Sequence, residues 1–141
     1  MAETDRELLD RIRDYLNAND RFCATNDIQL VKLEPGYAEA VLTVTPDKLN
    51  GVGVVQGGAT FSLADFAFAG AANSGNIPTV AATSSFNFLR PGTGGRLRAV
   101  AREISRGKRT VLCTIEVFDE RDRLIAYGTT TGFVTGEKLL D

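Results

Sequence analysis

The segment from Gln56 to Ala72 constrains the fold of this chain more than any other. It reads QGGATFSLADFAFAGAA, a run of small and apolar residues interrupted by one charge, Asp65. The apolar residues cover the whole circumference of a helix rather than one stripe, which is typical of a helix buried on every side. The sequence therefore predicts one core helix framed by the other elements.

Asp65 lies about two helical turns after a pair of glycines, Gly57 and Gly58. Burying an isolated carboxylate costs several kcal/mol, so the site must either raise the pKa of Asp65 or give it hydrogen bonds. The glycines lack side chains and would open the helix with bare N–H groups, a binding site for a carbonyl oxygen that gains negative charge. A carboxylate and an anion-binding helix start suit acyl-transfer chemistry.

Hydrophobic periodicity locates the other elements. Thr4 and Glu7 form a capping box before an amphipathic helix over roughly 5–18, which we expect to pack outside the main core. Two further runs, 28–33 and 37–45, flank a Glu-Pro-Gly turn and predict a hairpin. Later strands are predicted at 79–89, 96–105, 110–118 and 124–134, and their short connections favour antiparallel neighbours.

This order predicts an α+β fold in which an antiparallel sheet curls around one buried central helix, with an extra N-terminal helix. The chain has 141 residues, of which 43% are hydrophobic, and this size fits a single domain over 1–141. No signal-peptide pattern or membrane-spanning run occurs, so the cytoplasm is the default location. We interpret the widely spaced Cys23 and Cys113 as reduced structural thiols.

The composition excludes several classes of function. The chain contains no histidine, which removes Ser-His-Asp and Cys-His catalysis and histidine-ligated metal sites. It has no phosphate-binding loop and no dinucleotide fingerprint. The net charge of −2 argues against general nucleic-acid binding. Acid-base chemistry must therefore come from carboxylates.

Four motifs occur together: Asn50-Gly51, GGATFSLADFAFA from Gly57, SFNFLRPG over 85–92, and Arg106-Gly107-Lys108. In this order they resemble the hotdog-fold acyl-CoA thioesterases of the phenylacetate-degradation type, within the 4-hydroxybenzoyl-CoA thioesterase-like superfamily. The resemblance spans about residues 20–135. It implies hydrolysis of a small or medium, often aryl, acyl-CoA without metal or organic cofactor. It also implies assembly as homodimers or dimers of dimers with active sites at subunit interfaces.

The resemblance also implies roles for individual residues. Asp65 matches the catalytic carboxylate, acting either as general base on water or as nucleophile. Gly57 matches the glycine whose N–H polarises the thioester carbonyl, and Asn50 matches a residue that helps hold that carbonyl or the attacking water. Gln56 stands where most members carry histidine, and it would position the carbonyl by hydrogen bonding. This replacement leaves open an alternative function, non-catalytic acyl-CoA binding.

A basic cluster spans residues 90–109 and would grip the phosphates of coenzyme A. The interpretation assigns Gly58, Arg90, Lys108 and Arg109 to substrate and CoA binding. The strand arginines at 96, 98, 102 and 106 share even numbering and would project from one face of an unbulged strand. The alternative for each arginine is a solvated strand face.

Structural alternatives also exist for the other candidates. In a purely structural role, a buried Asp65 would cap a neighbouring loop or pair with an arginine. The glycine pair would allow tight packing against a strand. Asn50-Gly51 would form a simple turn, and Gln56 would cap the helix start. Most of the phenylalanines belong to the core under either interpretation.

Overall fold

The computed structural model describes residues 2–141. Three helices and six strands follow one another in the predicted order, apart from one additional short helix. The helices are α1 (Asp5–Asn19), α2 (Arg21–Thr25) and α3 (Gly57–Asn73). The strands are β1 (Ile28–Glu34), β2 (Tyr37–Thr43), β3 (Thr79–Phe88), β4 (Arg96–Arg106), β5 (Thr110–Phe118) and β6 (Leu124–Val134), and a 3₁₀ turn occupies Pro46–Lys48.

The six strands form one antiparallel sheet in the order β1-β2-β4-β5-β6-β3. Each central strand alternates buried and more exposed residues, so the buried set faces α3. On β2 and β4 this inner face consists largely of alanines, including Ala38, Ala40, Ala99 and Ala101. These small side chains let α3 lie close to the sheet. The predicted antiparallel sheet around one central helix is confirmed.

The helix α3 is buried over most of its surface, as its apolar composition predicts. Phe66 and Phe68 are among the largest fully buried side chains of the chain. Gly70 faces the first two strands, where a Cβ atom at this position would lie 2.8 Å from Cβ of Ala38 and 2.9 Å from Cδ2 of Leu30. The contact between α3 and the sheet is therefore closed to even one extra methyl group.

The N-terminal helix differs from the prediction. The capping box of Thr4 and Glu7 is present, but α1 does not pack outside the main core. Ile12 is 0% exposed and Leu9 is also part of the core cluster. The periodicity correctly indicates an apolar stripe, but it does not show which surface the stripe covers.

The two edges of the sheet are treated differently. At β1, the side chain of Asn17 on α1 donates to the carbonyl of Leu30 and accepts from its N–H, which satisfies part of that edge. Only the first residue of β3, Thr79, is buried, and the rest of the strand is exposed or partly exposed. The chain thus leaves one long edge strand open.

Gly70→Ala tests the close contact between α3 and the sheet. Alanine is favoured over glycine in a helix by about 1 kcal/mol, but overpacking a core costs about 1–3 kcal/mol. Because Cβ of Ala38 is fixed to the backbone, we expect the clash to dominate and the variant to unfold at a lower urea concentration. Gly75→Ala is the control, since its Cβ atom would meet nothing nearer than 3.9 Å. Equal stability of the two variants would contradict this packing.

Candidate active site

Gln56 caps the start of α3. Its Oε1 accepts a hydrogen bond from the N–H of Ala59 at 3.1 Å. Its backbone carbonyl accepts from the N–H groups of Ala59 and Thr60 at 2.9 and 3.2 Å. Within residues 2–141, no acceptor lies in hydrogen-bond geometry with the N–H groups of Gly57 and Gly58. The helix therefore presents two free donors at its positive end.

The two glycines serve this helix start in different ways. A Cβ atom on Gly58 would lie 2.6 Å from Oε1 of Gln56, so the missing side chain leaves room for the cap. A Cβ atom on Gly57 would meet only the ring of Phe88, at an ordinary 3.7 Å. Gly57 therefore has space for a side chain on the side that faces the Phe88 ring.

Asn50 organises the loop that leads to α3. Its Oδ1 accepts from the N–H groups of Val52 and Val54 at 3.0 and 3.3 Å, and its own N–H donates to the carbonyl of Val54 at 2.8 Å. The turn interpretation of Asn50-Gly51 is therefore correct. The amide Nδ2 donates to no group in the described part of the chain, so a contact from Asn50 to substrate stays a prediction.

Lys48 anchors the same loop and was not identified from the sequence. It is only 5% exposed, and its Nζ donates to Asp27, Thr45 and Asp47 at 2.9, 3.0 and 3.0 Å. The hydrogen bonds to Asp27 and Asp47 raise the pKa of this amine. Its backbone carbonyl accepts from the N–H of Gln56 at 2.8 Å. No local sequence motif predicts this role, because Asp27, whose carboxylate accepts from Lys48, lies 21 residues away in the sequence.

Asp65 is a partly buried carboxylate without a partner. Across residues 2–141 it takes part in no hydrogen bond or salt bridge, so neither structural alternative for it applies. Burial raises its pKa, and the nearby carboxylate of Asp20 raises it further. Asp65 in turn contributes to the raised pKa of the buried Cys23 thiol. The carboxylate therefore lies near α2. Its ionised form carries the free-energy cost of burial that the apolar sequence around it predicts.

The two proposed catalytic groups do not meet within one chain. Asp65 follows Gly57 by eight residues on the same helix, which corresponds to about 12 Å along the axis at 1.5 Å per residue. One carbonyl group cannot be within hydrogen-bond distance of both. Within a single chain, Gly57 and Asp65 therefore cannot both contact the same carbonyl group.

Two cavities flank the start of α3. The first, which we call the Phe22 cavity, has a volume of about 360 Å³ and is lined by Phe22, Leu49, Gln56, Gly58 and Ala59, among others. The second, the Arg90 cavity, has a volume of about 350 Å³ and is lined by Gly57, Thr60, Phe88, Leu89 and Arg90, among others. A group bound to the free N–H donors would have access to both.

The aromatic side chains divide between the core and the site. Phe66 and Phe68 are core residues, as predicted for most phenylalanines. Phe61 packs edge-on against Phe86, with ring centroids 5.8 Å apart. Phe88 is 55% exposed beside Gly57. The alternation of Phe88 with polar residues in the sequence did not predict that it would lie beside the start of α3.

The basic residues do not form one continuous cluster. β4 is bulged between Glu103 and Ser105, and Arg106 reaches the inner side, where it donates to the carbonyl of Ala72 at 2.8 Å. The expectation that the four strand arginines share a face is therefore wrong for Arg106. Arg98 pairs with Glu39 at 3.0 Å.

Three of the basic residues assigned to CoA remain exposed: Arg90, Lys108 and Arg109. None of the three has a salt bridge within the described residues. Arg90 lies at the start of α3, whereas the turn that carries Lys108 and Arg109 follows Arg106, which contacts the other end of the helix. One chain therefore does not bring all three together.

The six-stranded antiparallel sheet curled around one long helix is the hotdog fold, and the relatives of this fold include thioester hydrolases. The sequence pattern of the thioesterase superfamily matches residues 52–126, and this chain belongs to that superfamily. It is 38% identical to the acyl-coenzyme A thioesterase PaaI of Escherichia coli over 77% of this chain and 78% of that protein.

Solved structures agree with this membership. The structure of the E. coli PaaI protein superposes with a TM-score of 0.91 and 31% identity, covering 96% of this chain and 99% of that one. A Streptococcus mutans protein solved with bound acetyl-CoA superposes with a TM-score of 0.74 and 28% identity, covering 79% and 90% of the two chains. In residues 2–141, no helix is long and apolar enough to span a membrane.

Asp65→Asn tests the cost of the buried carboxylate. Folding raises the pKa of Asp65, so as the pH rises Asp65 loses its proton in the unfolded chain before it does so in the folded chain. The free energy of unfolding therefore falls as the pH rises towards the raised pKa. We expect the variant to be more stable than wild type in urea at pH 7. That advantage should shrink as the pH falls towards about 3.9, the ordinary aspartate value.

The exposed Glu137→Gln change serves as the surface control for the loss of one negative charge. An advantage of Asp65→Asn that grows in acid would show that the carboxylate is stabilised rather than strained by its surroundings.

Proposed function

We propose that the protein hydrolyses thioesters of coenzyme A with small or medium acyl groups, aryl-acyl groups included. The observation that carries this proposal is the carboxylate of Asp65, which has no partner among residues 2–141 and lies on the helix whose start presents two free N–H donors. The E. coli relative that is named an acyl-CoA thioesterase and the S. mutans structure bound to acetyl-CoA support the choice of thioester. We expect the reaction to need no cofactor and to take place in the cytoplasm.

In the proposed reaction, the N–H of Gly57 donates to the thioester carbonyl oxygen, which gains negative charge during attack. The amide nitrogens of Gln56 and Asn50 are further donors for the carbonyl or the attacking water. Oε1 of Gln56 already accepts from Ala59, so its NH₂ group is the part that remains for substrate. These roles require donors only, and the absence of histidine does not affect them.

Asp65 would supply the carboxylate chemistry by one of two routes. As a general base, it accepts a proton from water while the oxygen attacks the carbonyl carbon and the C–S bond breaks. As a nucleophile, it forms a mixed anhydride that water then hydrolyses. Either route consumes one water and releases the free acid and the CoA thiol. Because the pKa of Asp65 is raised, its ionised form is a stronger base than an ordinary aspartate.

We propose that two copies assemble the site. The separation of about 12 Å between Gly57 and Asp65 along one helix supports a site shared between two chains. The open edge of β3 offers backbone groups to the same strand of a second copy. A two-fold axis at this edge runs the two α3 helices in opposite directions, which allows Asp65 of one copy to approach Gly57 of the other. A dimer of dimers remains compatible with this pair.

Exposed cations are the proposed contacts of the CoA phosphates. Arg90 stands at the wall of a cavity that also contains Gly57. Lys108 and Arg109 lie at the other end of the same chain's α3, so in an antiparallel pair they approach the helix start of the second copy. Arginine binds phosphate through two parallel hydrogen bonds, which favours it for this task.

The alternative function is binding of acyl-CoA without turnover. Gln56 favours it, because a glutamine amide cannot exchange a proton near neutral pH and is here engaged as a helix cap. The two functions differ in one observable, the release of free thiol from a bound thioester.

Thiol release from aryl, short-chain and medium-chain CoA thioesters tests the proposal. We expect wild-type turnover and none with Asp65→Asn. Gly57→Pro removes the N–H donor and keeps the helix start, because proline suits the first helical position and the extended backbone of Gln56 (φ −61°, ψ 136°) accepts a following proline. We expect Gly57→Pro to lower kcat by about 100-fold to 1,000-fold. Gly57→Ala keeps the N–H and is the matched control.

Turnover by Asp65→Asn at the wild-type rate would refute the carboxylate mechanism. Tight binding of the same thioesters by the wild type without any thiol release would instead establish the alternative function.

Hybrids of two inactive variants test whether the site is shared between copies. Asp65→Asn and Gly57→Pro chains are co-expressed with different affinity tags, and the mixed species is purified. A shared site leaves one of the two sites in each hybrid intact, so we expect about half of the wild-type activity per hybrid dimer. A site contained in one chain predicts an inactive hybrid.

A further inference from the structure

The Phe22 cavity and the Arg90 cavity differ in charge. The Arg90 cavity has an exposed arginine at its wall. The Phe22 cavity contains the carboxylate of Asp47, and its wall cation, Lys48, already donates three hydrogen bonds to protein oxygens. The phosphates of a CoA thioester are therefore favoured on the Arg90 side, which leaves the Phe22 side to the uncharged acyl group.

The lining of the Phe22 cavity combines polar residues with an apolar part that suits an acyl group. Its walls include Ile28, Leu42 and Ala59, while Phe22 and Leu49 stand at its mouth with 60% and 40% of their surfaces exposed. Large apolar side chains left exposed around a concave site gain free energy when an apolar ligand covers them. The cavity reaches the proposed reaction centre directly, because Gln56 and Gly58 form part of its wall.

We propose that the Phe22 cavity is the acyl subsite and that Phe22, Leu49 and Ala59 determine which acyl groups are accepted. This inference rests on the proposed function for the position of the thioester. The volume of about 360 Å³ lies at the lower end of the range of about 300–1,000 Å³ for small-molecule sites. The cavity therefore suits a compact acyl group of up to one ring.

The position of Phe22 depends on the short helix α2. The side chain of Asp20 accepts from the N–H of Cys23 at 2.9 Å and caps this helix. The amide of Asn26 donates to the carbonyl of Phe22 at 2.8 Å and closes its other end. With both ends held, the backbone of α2 places the Phe22 side chain at the cavity, where a flat acyl group can stack on its ring.

Filling the cavity tests the assignment. Ala59→Leu adds bulk inside the Phe22 cavity, and we expect the ratio of kcat/KM for benzoyl-CoA to kcat/KM for acetyl-CoA to fall by about tenfold or more. Ala24→Leu is the matched control, because Ala24 lines a different cavity of about 310 Å³, and it should leave this ratio unchanged. Phe22→Ala removes bulk at an exposed position and introduces no steric clash, and it should lower the same ratio. This second variant keeps the test valid if Ala59→Leu does not fold.

A binding measurement separates this inference from the proposed function. Phenacyl-CoA, a thioether that cannot be hydrolysed, is titrated against the wild type and the variants by calorimetry, with free CoA as reference. We expect the wild type to bind phenacyl-CoA more tightly than CoA, and Ala59→Leu and Phe22→Ala to lose that preference. Loss of preference in a protein without turnover would support the subsite while refuting hydrolysis. An unchanged preference or substrate ratio in both variants would overturn the subsite.

Discussion

The close contact between α3 and the inner face of the sheet is the constraint on which the rest of the structure depends. The helix meets the sheet through alanines on β2 and β4 and through Gly70, where no methyl group can be added without a clash. Protein interiors are packed as densely as organic crystals, so such a contact fixes the helix in one position. The free N–H groups of Gly57 and Gly58 and the carboxylate of Asp65 are thereby held in place by the packing of the helix that carries them.

Holding Asp65 in this position works against stability. The carboxylate is partly buried, it lacks a partner among residues 2–141, and its pKa is raised. A protein selected for stability alone would have a neutral residue on this apolar helix. The proposed catalytic role accounts for this retained charge, and the packing of the surrounding helix offsets its cost.

Most of the fold could be predicted from the sequence, because it follows from local patterns. The strand boundaries follow from alternation, and the buried helix follows from its apolar circumference. What could not be predicted depends on contacts between distant segments: the burial of Ile12, the reach of Arg106 after the bulge in β4, and the anchoring of Lys48 by Asp27. For the site, the sequence indicated Asp65 and Gly57, but not the exposed Phe88 beside Gly57 or Phe22 at the first cavity.

If two copies pair through the open edge of β3, as proposed, catalysis depends on the amount of protein present. If the working unit contains two chains, its concentration in dilute solution rises with the square of the chain concentration. Doubling synthesis would then raise the number of working units up to fourfold when most chains are single. Gene expression would act on this reaction more steeply than on that of a monomeric enzyme, and low basal expression would keep thioester hydrolysis nearly silent.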